Sequence, residues 1–347
     1  MNETIKVAMF DTKPYDEASF EKVRPENIEI TYYPVKLNRD SVLLADGKDA
    51  VCTFVNDTVD KDVVEKLYEL GVKLIALRCA GFDSVDVKAC HNKIKVVRVP
   101  AYSPEAVAEH AMALLMTSVR RIHKAYNRTR DFNFSLNDLV GFNLNGKTVG
   151  VIGTGKIGKA FINICNGFGM KVIAYDMYPT QGIGAEYVSM DELLQKSDII
   201  SLHCPLTEEN RHLINAETIN KMKKGVVILN TSRGGLINTK DLLDGLKDRK
   251  VGAACIDVYE EEGSLFFNDK SGHILDDDIM ARLLSMPNVI VTSHQAFLTE
   301  EALGNIADTT ISNILQFFEK EELPNEVCYR CENFSECSAN NSRKCAK

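Results

Sequence analysis

Short apolar runs alternate with longer amphipathic segments along most of the chain. The runs at 5–10, 50–55 and 73–77 have the length of buried strands, and residues 60–70 have the pattern of a helix that Gly71 closes. Strands that alternate with helices in this way are typical of βαβ units, in which a crossover helix leads to a parallel neighbouring strand. The pattern therefore predicts an α/β protein built on parallel sheets.

Two further helices are marked by their ends and their periodicity. Ser103, Pro104 and Glu105 provide a hydroxyl N-cap, a proline at the first helical position and an acid in the first turn. Residues 300–320 place apolar side chains at helical spacing on one side. Between these helices, 147–294 shows the most regular alternation of strands and helices. With 347 residues in all, this organisation predicts two domains rather than one.

The composition narrows the class of protein. Apolar residues make up 45% and charged residues 26% of the chain, as in ordinary globular proteins. The 41 basic and 49 acidic side chains give a net charge of −8, which disfavours nucleic acid and anionic membranes as partners. The basic stretch 120–130 is then expected to be a solvated or subunit-facing surface. The N-terminal residues carry no export signal and no stretch reaches about 18 apolar residues, so we expect a cytoplasmic protein without a membrane segment.

A glycine-rich turn follows the strand predicted at 148–152. Its spacing is G-x-G-x-x-G, and a helical pattern follows. In such a turn the first glycine permits the sharp bend, the second lets a pyrophosphate approach the backbone, and the third lets helix and strand pack closely. Asp176 ends the next predicted strand, where an acid accepts hydrogen bonds from ribose hydroxyls and repels a 2′-phosphate, so we predict a site for NAD rather than NADP. The residues assigned to the pyrophosphate are Gly153, Gly155, Lys156, Ile157 and Gly158.

Polar or reactive groups follow four later predicted strands, and the carboxyl ends of parallel strands are where ligands bind. These groups are His203-Cys204-Pro205, Thr231-Ser232-Arg233, Asp257 and Ser293-His294, of which all but Arg233, Ser293 and His294 are assigned to the cofactor cleft. An enzyme that reduces a 2-oxo acid needs a guanidinium for the carboxylate and a proton donor beside the carbonyl oxygen. Arg233 and His294 fit these two roles. A carboxylate would orient the imidazole, but the residues alone do not choose among Asp257, Glu260, Glu261 and Glu262.

A set of segments spread over residues 1–327 is similar to one known family. The segments are AVCTFVND (50–57), LRCAGF (77–82), VPAYSPEAVAEH (99–110), GVIGTGKIG (150–158), NTSRGG (230–235), DVYE (257–260) and HQAF (294–297). Together they resemble the D-2-hydroxyacid dehydrogenases, and within that family the fermentative bacterial D-lactate dehydrogenases. The resemblance implies two doubly wound parallel-sheet domains, with a Rossmann dinucleotide-binding domain inserted in a flavodoxin-like substrate domain. The implied boundaries are 1–101 and 298–327 for the substrate domain, 102–297 for the NAD-binding domain and 328–347 for an appended tail.

The resemblance also implies roles for individual residues. Arg233 would clamp and polarise the 2-oxo acid, His294 would be the acid/base, and Glu262 would be the carboxylate paired with it. Asp257 would support the histidine and the cofactor site. Further substrate contacts would come from Phe54, Ala80, Gly81, Tyr102 and Phe297.

Two aromatic walls, at Phe54 and Phe297, suit a methyl group, so the implied reaction is the reversible reduction of pyruvate to D-lactate with NADH. The alternatives are a larger 2-oxo acid, such as 2-oxoisocaproate or phenylpyruvate, and an NAD-sensing binding protein like the related corepressors. The family's habit of pairing through the dinucleotide domain implies a homodimer or homotetramer.

The ten cysteines are unevenly distributed. Six are scattered and are expected to be free thiols in a reducing compartment: Cys52, Cys79, Cys90, Cys165, Cys204 and Cys255. The last four, with the spacing C-x2-C-x5-C-x7-C, are Cys328, Cys331, Cys337 and Cys345. Four soft ligands suffice for zinc or an iron-sulfur cluster, and the alternative is a tail of reduced thiols. The histidines show no metal-like spacing, and His110 and His123 are assigned to helix packing or surface.

Overall fold

The computed structural model describes residues 4–320 and 323–328, which divide into two compact units. Unit 1 comprises the segments Met1–Ser103 and Thr299–Lys347, and unit 2 is Pro104–Leu298. Unit 2 is thus inserted between the two segments of unit 1. Each unit contains a parallel sheet with helices between its strands, which confirms the predicted α/β fold class.

Unit 1 has five described strands: β1 (Ile5–Met9), β2 (Ile28–Tyr32), β3 (Ala50–Thr53), β4 (Leu74–Leu77) and β5 (Lys95–Val97). They pair in the order β2-β1-β3-β4-β5, and every pairing is parallel. All residues of β3 and β4 are buried, as expected for central strands covered on both faces. The helices of this unit are α1 (Pro14–Val23), α2 (Lys61–Glu69), α3 (Val87–Cys90) and α11 (Glu300–Lys320), with a 3₁₀ turn at Val42–Ala45.

Helix α2 shows how local sequence sets an element. The Asp60 side chain accepts a hydrogen bond from the Val63 backbone nitrogen at 3.0 Å and so caps the first turn. Val63, Val64 and Leu67 are buried on one face. The chain leaves the helix through Gly71, whose φ of +84° suits glycine. The helix predicted at 60–70 therefore lies where its cap and its apolar spacing place it.

Unit 2 contains the longer sheet. Its strands are β6 (Thr148–Ile152), β7 (Lys171–Tyr175), β8 (Glu186–Tyr187), β9 (Ile199–Leu202), β10 (Val226–Asn230), β11 (Val251–Ile256) and β12 (Val289–Val291). Its helices are α4 (Pro104–Arg120), α5 (Ile122–Arg130), α6 (Lys156–Gly167), α7 (Met190–Lys196), α8 (Ala216–Lys221), α9 (Thr239–Lys247) and α10 (Asp278–Leu284), with 3₁₀ turns at Gly234–Leu236 and Glu262–Ser264. The parallel strand order is β12-β11-β10-β9-β6-β7-β8.

The strand order of unit 2 reverses between β6 and β9. These two strands are neighbours, with Val149 opposite Ile199 and Ile152 opposite Leu202. In an open parallel sheet, a crevice forms at the carboxyl ends of the strands where the order reverses, and ligands bind there. The predicted dinucleotide turn follows β6 directly, so the topology places it at this crevice.

Within residues 4–320 and 323–328, none of the helices combines the length and the apolar character that a membrane crossing requires.

Candidate active site

The glycine turn after β6 is tightly packed at two of its glycines and open at the third. Gly153 has a φ of +93°, and a Cβ there would lie 2.6 Å from the Cys204 nitrogen. A Cβ on Gly158 would lie 2.1 Å from the Gly153 carbonyl oxygen, whereas one on Gly155 would meet nothing within 4 Å. Lys156 begins α6, so the open side lies beside a helix N-terminus, where backbone N–H groups favour an anion. A pyrophosphate fits this opening.

Asp176 lies at the end of β7 and closes the other side of the turn. Its Oδ2 accepts hydrogen bonds from the Thr154 nitrogen at 2.6 Å and hydroxyl at 2.9 Å, and its Oδ1 accepts one from the Tyr178 nitrogen at 2.8 Å. Burial alone would raise the pKa of Asp176, but these hydrogen bonds outweigh it and hold the pKa below its ordinary value. The carboxylate is therefore charged at neutral pH, as a residue that accepts ribose hydroxyls and repels a 2′-phosphate must be.

The residues expected in the cofactor cleft after β9 and β10 are His203, Cys204, Pro205, Thr231 and Ser232. The Ser232 hydroxyl donates to the Cys204 carbonyl at 2.6 Å and ties the two strand ends together. His203 Nε2 lies 2.8 Å from the Ser201 hydroxyl, and burial lowers the pKa of His203 to about 4, so the ring is neutral. His203 Nδ1 and the Thr231 hydroxyl are buried without a hydrogen-bond partner among the described residues. Such orphaned polar atoms beside the open turn fit a polar ligand in this cleft.

His294 and Glu262 form a hydrogen-bonded pair. His294 Nδ1 lies 2.8 Å from Glu262 Oε1, and the other carboxylate oxygen accepts the Tyr259 backbone N–H at 2.9 Å. Phe267 lies beside the ring, with the two ring centroids 5.9 Å apart and the ring planes tilted by 40°. Because Glu262 is fixed from both sides, it orients the imidazole and leaves Nε2 as the nitrogen that can exchange a proton with a ligand.

Asp257 holds the loop that carries His294. Its carboxylate accepts hydrogen bonds from the Gln295 and Ala296 nitrogens, each at 2.9 Å, and from the Thr292 hydroxyl at 2.5 Å. Its carbonyl accepts the His294 N–H at 2.7 Å. Burial would raise the pKa of Asp257, but its hydrogen bonds keep the pKa below the ordinary value. Asp257 therefore acts on the backbone around His294, and the His294 ring pairs with Glu262.

Helix α4 supplies a polar contact to this loop that the sequence did not indicate. His110, which the sequence assigns to helix packing or surface, places Nε2 at 3.1 Å from the Thr292 hydroxyl and 3.4 Å from Asp257 Oδ1. The assignment is incomplete because the three residues are brought together only by the packing of α4 on β11 and β12. No local spacing marks a partner 182 positions away.

Arg233 lies on the turn after β10, which packs closely on the segment that leads to Glu262. Its Nη1 donates to the Ser232 carbonyl at 2.8 Å, and its own carbonyl accepts the Asn230 side-chain amide at 2.8 Å. A Cβ on Gly234 would lie 2.1 Å from the Tyr259 carbonyl carbon. Only glycine permits this approach, which sets the position of the arginine turn relative to residues 259–262.

The structure separates the four carboxylates that the residues alone left open. Glu260 Oε1 pairs with His212 Nε2 at 2.5 Å and with Arg211 Nη2 at 3.3 Å. Glu261 is exposed. Among the described residues, Glu262 is the one of these four acids whose side chain lies within hydrogen-bond distance of the His294 ring. The acids beside Glu262 thus serve the surrounding loop or face solvent.

Two of the predicted substrate-binding residues in unit 1, Phe54 and Ala80, follow β3 and β4. Phe54 is largely buried under the Arg78 guanidinium, which lies 4.7 Å from the ring centroid. The Phe54 nitrogen donates to the buried Asp57 carboxylate at 2.6 Å. Ala80 is fixed through its carbonyl, which accepts Arg98 Nη1 at 2.8 Å.

The remaining predicted substrate contacts are distributed over both units. The Gly81 carbonyl lies 3.2 Å from Cys79 Sγ, and the Tyr102 carbonyl accepts the Asn305 side-chain amide at 2.6 Å, both within unit 1. Phe297 belongs to unit 2 and is buried there.

In the part of the chain that the structure describes, the six scattered cysteines and Cys328 form no disulfide. Burial raises the pKa of Cys52, Cys90, Cys165 and Cys255 to about 12 and that of Cys204 to about 11. These thiols are therefore poor nucleophiles and poor metal ligands. Among the described residues, no group of three or more His, Cys, Asp or Glu side chains has a metal-binding arrangement. Three predicted tail ligands, Cys331, Cys337 and Cys345, lie outside the described residues.

Comparison with known proteins gives consistent matches. Residues 112–296 match the family model for the D-isomer specific 2-hydroxyacid dehydrogenase, NAD binding domain, which confirms the predicted cofactor. The chain is 55% identical to a 2-hydroxyacid dehydrogenase homolog of Haemophilus influenzae, over 89% of this chain and 95% of that protein. It is 50% identical to the D-lactate dehydrogenase of Escherichia coli, over 93% of this chain and 100% of that enzyme. A solved structure of the pyruvate reductase of Chlamydomonas reinhardtii matches with a TM-score of 0.86 and 47% identity, over 91% of this chain and 96% of that one.

Proposed function

The chain belongs to the D-isomer specific 2-hydroxyacid dehydrogenase family, and on that premise we propose that it reduces pyruvate to D-lactate with NADH, reversibly. The observation that carries the proposal is the His294–Glu262 pair, 2.8 Å apart and anchored on the Asp257 loop. Oriented by Glu262, the imidazole presents Nε2 as the group that gives a proton to the carbonyl oxygen and takes it back in the reverse direction.

Arg233 is the proposed clamp for the substrate. A guanidinium binds a carboxylate through two parallel hydrogen bonds and also stabilises negative charge that develops on a neighbouring oxygen. Bound NADH supplies the hydride to C2, and the protein supplies the proton, so that pyruvate, NADH and one proton give D-lactate and NAD⁺. The tight approach of Gly234 to Tyr259 supports this role, because it fixes the arginine turn beside the segment that carries Glu262.

The cofactor is assigned to the crevice at the β6 and β9 strand ends. The open side of the turn at Gly155 and the N-terminus of α6 would take the pyrophosphate, and Asp176 would take the adenosine ribose. The buried polar atoms of His203 and Thr231, which have no hydrogen-bond partner in the described part of the chain, support a polar ligand beside the same strand ends. The remaining residues assigned to the cofactor are Gly153, Lys156, Ile157, Gly158, Cys204, Pro205, Ser232 and Asp257.

For the substrate, we assign the carboxylate to the backbone amides of Ala80 and Gly81 with Tyr102 beside them. Phe54 and Phe297 are assigned to the side chain of the substrate, because two aromatic walls suit a small apolar group such as a methyl group. The fixed backbone at Ala80, held by Arg98, supports a preorganised carboxylate site.

The proposal is tested with purified protein, NADH and a panel of 2-oxo acids that includes pyruvate, 2-oxoisocaproate and phenylpyruvate. We expect the highest kcat/KM for pyruvate. His294→Ala and Arg233→Ala should each abolish turnover while NADH still binds, as followed by cofactor fluorescence, and His91→Leu in unit 1 serves as a control for loss of a histidine elsewhere. Full activity in either active-site variant would overturn the assigned roles.

We also propose that the chain forms a homodimer or homotetramer through an apolar surface of unit 2, defined by side chains on and after α5. They are between 52% and 87% exposed and comprise Ile122, Tyr126, Phe132, Phe134, Leu136 and Val140. So many large apolar side chains within one short segment are typical of a protein interface. Light scattering should give a multiple of the chain mass for the wild type and a monomer for Phe132→Asp combined with Phe134→Asp. A wild-type monomer would contradict this assignment.

A further inference from the structure

The loop that carries His294 combines an unfavourable backbone conformation with one buried anchor. His294 has a φ of +55°, a region that residues other than glycine rarely adopt. Such a conformation persists only where surrounding contacts impose it. Here those contacts converge on Asp257, whose carboxylate holds Gln295 and Ala296 and whose carbonyl holds His294 itself. The position of the imidazole therefore depends on the Asp257 carboxylate remaining charged and in place.

His110 completes this anchor from helix α4. The Thr292 hydroxyl has one hydrogen, and its distance of 2.5 Å from Asp257 Oδ1 assigns that hydrogen to the carboxylate. The Thr292 oxygen is then an acceptor toward His110 Nε2, 3.1 Å away. The geometry thus requires a hydrogen on His110 Nε2 and gives one direction to the chain, in which His110 donates to Thr292 and Thr292 donates to Asp257.

The energetic importance of this chain follows from the burial of Asp257. The carboxylate is fully buried, and a buried charge is tolerated only when hydrogen bonds replace its hydration. His110 and Thr292 are among the groups whose hydrogen bonds offset burial and keep the pKa of Asp257 low. Helix α4 packs on β11 and β12, the strands that lead to Asp257 and Thr292, so the His110 ring is held at this point by the fold.

We propose that His110 is a positioning residue for the reaction, which keeps the His294 loop in its active conformation through Thr292 and Asp257. Among the described residues its polar contacts are with Thr292 and Asp257, and it acts on the imidazole through them. The inference rests on the proposed role of His294 as the acid/base.

The test compares His110→Leu, which removes the donor, with His110→Gln, whose amide nitrogen reaches the position of Nε2 without a charge. We expect His110→Leu to lower kcat about tenfold, because the donor that directs the Thr292 hydroxyl toward the buried Asp257 carboxylate is lost, with KM and the Kd for NADH unchanged within about twofold. His110→Gln should recover most of the lost kcat. His91→Leu, at a half-buried histidine of unit 1, should behave as the wild type.

Thr292→Val breaks the same chain at its second link and serves as an independent variant. Its kcat should fall to a similar extent, and the double variant with His110→Leu should lose little more than either single variant, because both remove one pathway. Thermal unfolding first establishes that each variant is folded. The proposal is overturned if folded His110→Leu or Thr292→Val keeps the wild-type kcat, or if the kcat of His110→Gln is no higher than that of His110→Leu. It is also overturned if the losses of His110→Leu and Thr292→Val add in the double variant. Should His110→Leu fail to fold, the proposal is overturned if Thr292→Val keeps the wild-type kcat or if His110→Gln loses as much kcat as Thr292→Val. An active His294→Ala variant would instead contradict the proposed function itself, so the two failures are distinguishable.

Discussion

Two glycines of the same turn, Gly155 and Gly158, should affect different properties when each is replaced by alanine: NADH binding for the first and stability for the second. At Gly155 the backbone has a φ of −65°, which alanine adopts readily, and an added Cβ has nothing within 4 Å. Alanine there should leave the free energy of unfolding within about 1 kcal/mol of the wild type, because a small entropic gain opposes a small N-cap loss. The same methyl group would occupy the opening assigned to the pyrophosphate. We therefore expect Gly155→Ala to weaken NADH binding about tenfold or more, which corresponds to about 1.4 kcal/mol.

At Gly158 the expected order of effects is reversed. The added Cβ would lie 2.1 Å from the Gly153 carbonyl oxygen, which is backbone and cannot turn aside. Overpacking of this kind costs about 1–3 kcal/mol, and for a unit of this size the Tm should fall by roughly 2–12 °C. Gly158→Ala should thus unfold earlier even without cofactor.

The assay pairs differential scanning fluorimetry of the cofactor-free protein with titration of NADH by fluorescence. The prediction is a normal Tm with weak binding for Gly155→Ala and a lowered Tm for Gly158→Ala. Normal NADH binding by Gly155→Ala would refute the placement of the pyrophosphate, and a normal Tm for Gly158→Ala would refute the packing argument.

Three further predictions follow from other parts of the molecule. Burial lowers the pKa of His203 to about 4, against about 6.5 in the unfolded chain, so the unfolded state binds the extra proton and the free energy of unfolding should fall by up to about 3 kcal/mol as pH decreases from 6.5 to 4. Urea unfolding of His203→Asn at a series of pH values should show a shallower decrease, and a decrease equal to that of the wild type would contradict the assignment. Phe54→Ala should raise the ratio of kcat/KM for phenylpyruvate to kcat/KM for pyruvate by about tenfold, since it enlarges the assigned side-chain pocket. An unchanged ratio would contradict the assignment of Phe54 to that pocket. If the four tail cysteines bind zinc or an iron-sulfur cluster, elemental analysis of anaerobically purified protein should give stoichiometric metal. The metal should be lost in the double variant Cys331→Ser, Cys337→Ser, and a metal-free wild type would favour a tail of reduced thiols.

Much of the fold follows from patterns that act over short distances. Helix α2 lies close to its predicted bounds because a cap at Asp60, an apolar face and a glycine at Gly71 all occur within or directly beside it, and α11 follows from its apolar face. The break between α4 and α5 did not follow, because Arg121 adopts a φ of +54° that no local residue preference indicates. The strand Glu186–Tyr187 could not be predicted either, because two residues at the edge of a sheet are too few to show a hydrophobic period.

In the candidate site too, features set by local spacing could be predicted and features set by tertiary packing could not. The glycine turn and Asp176 could be predicted because their spacing along the chain is itself the signal. The partner of His294 could not be derived from the residues alone, because Glu260, Glu261 and Glu262 are adjacent and only the fold of their segment decides which carboxylate meets the ring. The resemblance supplied Glu262.

His110 shows the limit of both approaches, since neither the residues nor the resemblance indicated its contact. A histidine on an amphipathic helix is usually explained by packing or exposure. Its contact with Thr292 and Asp257 depends on helix α4 lying across β11 and β12, and this is known only once the sheet is assembled.

The most direct test of the central claim is chiral analysis of the product formed from pyruvate and NADH. The account predicts D-lactate in an amount equal to the NADH consumed, and no product with His294→Ala. Formation of L-lactate, or no oxidation of NADH by pyruvate or by any other 2-oxo acid of the panel, would contradict it.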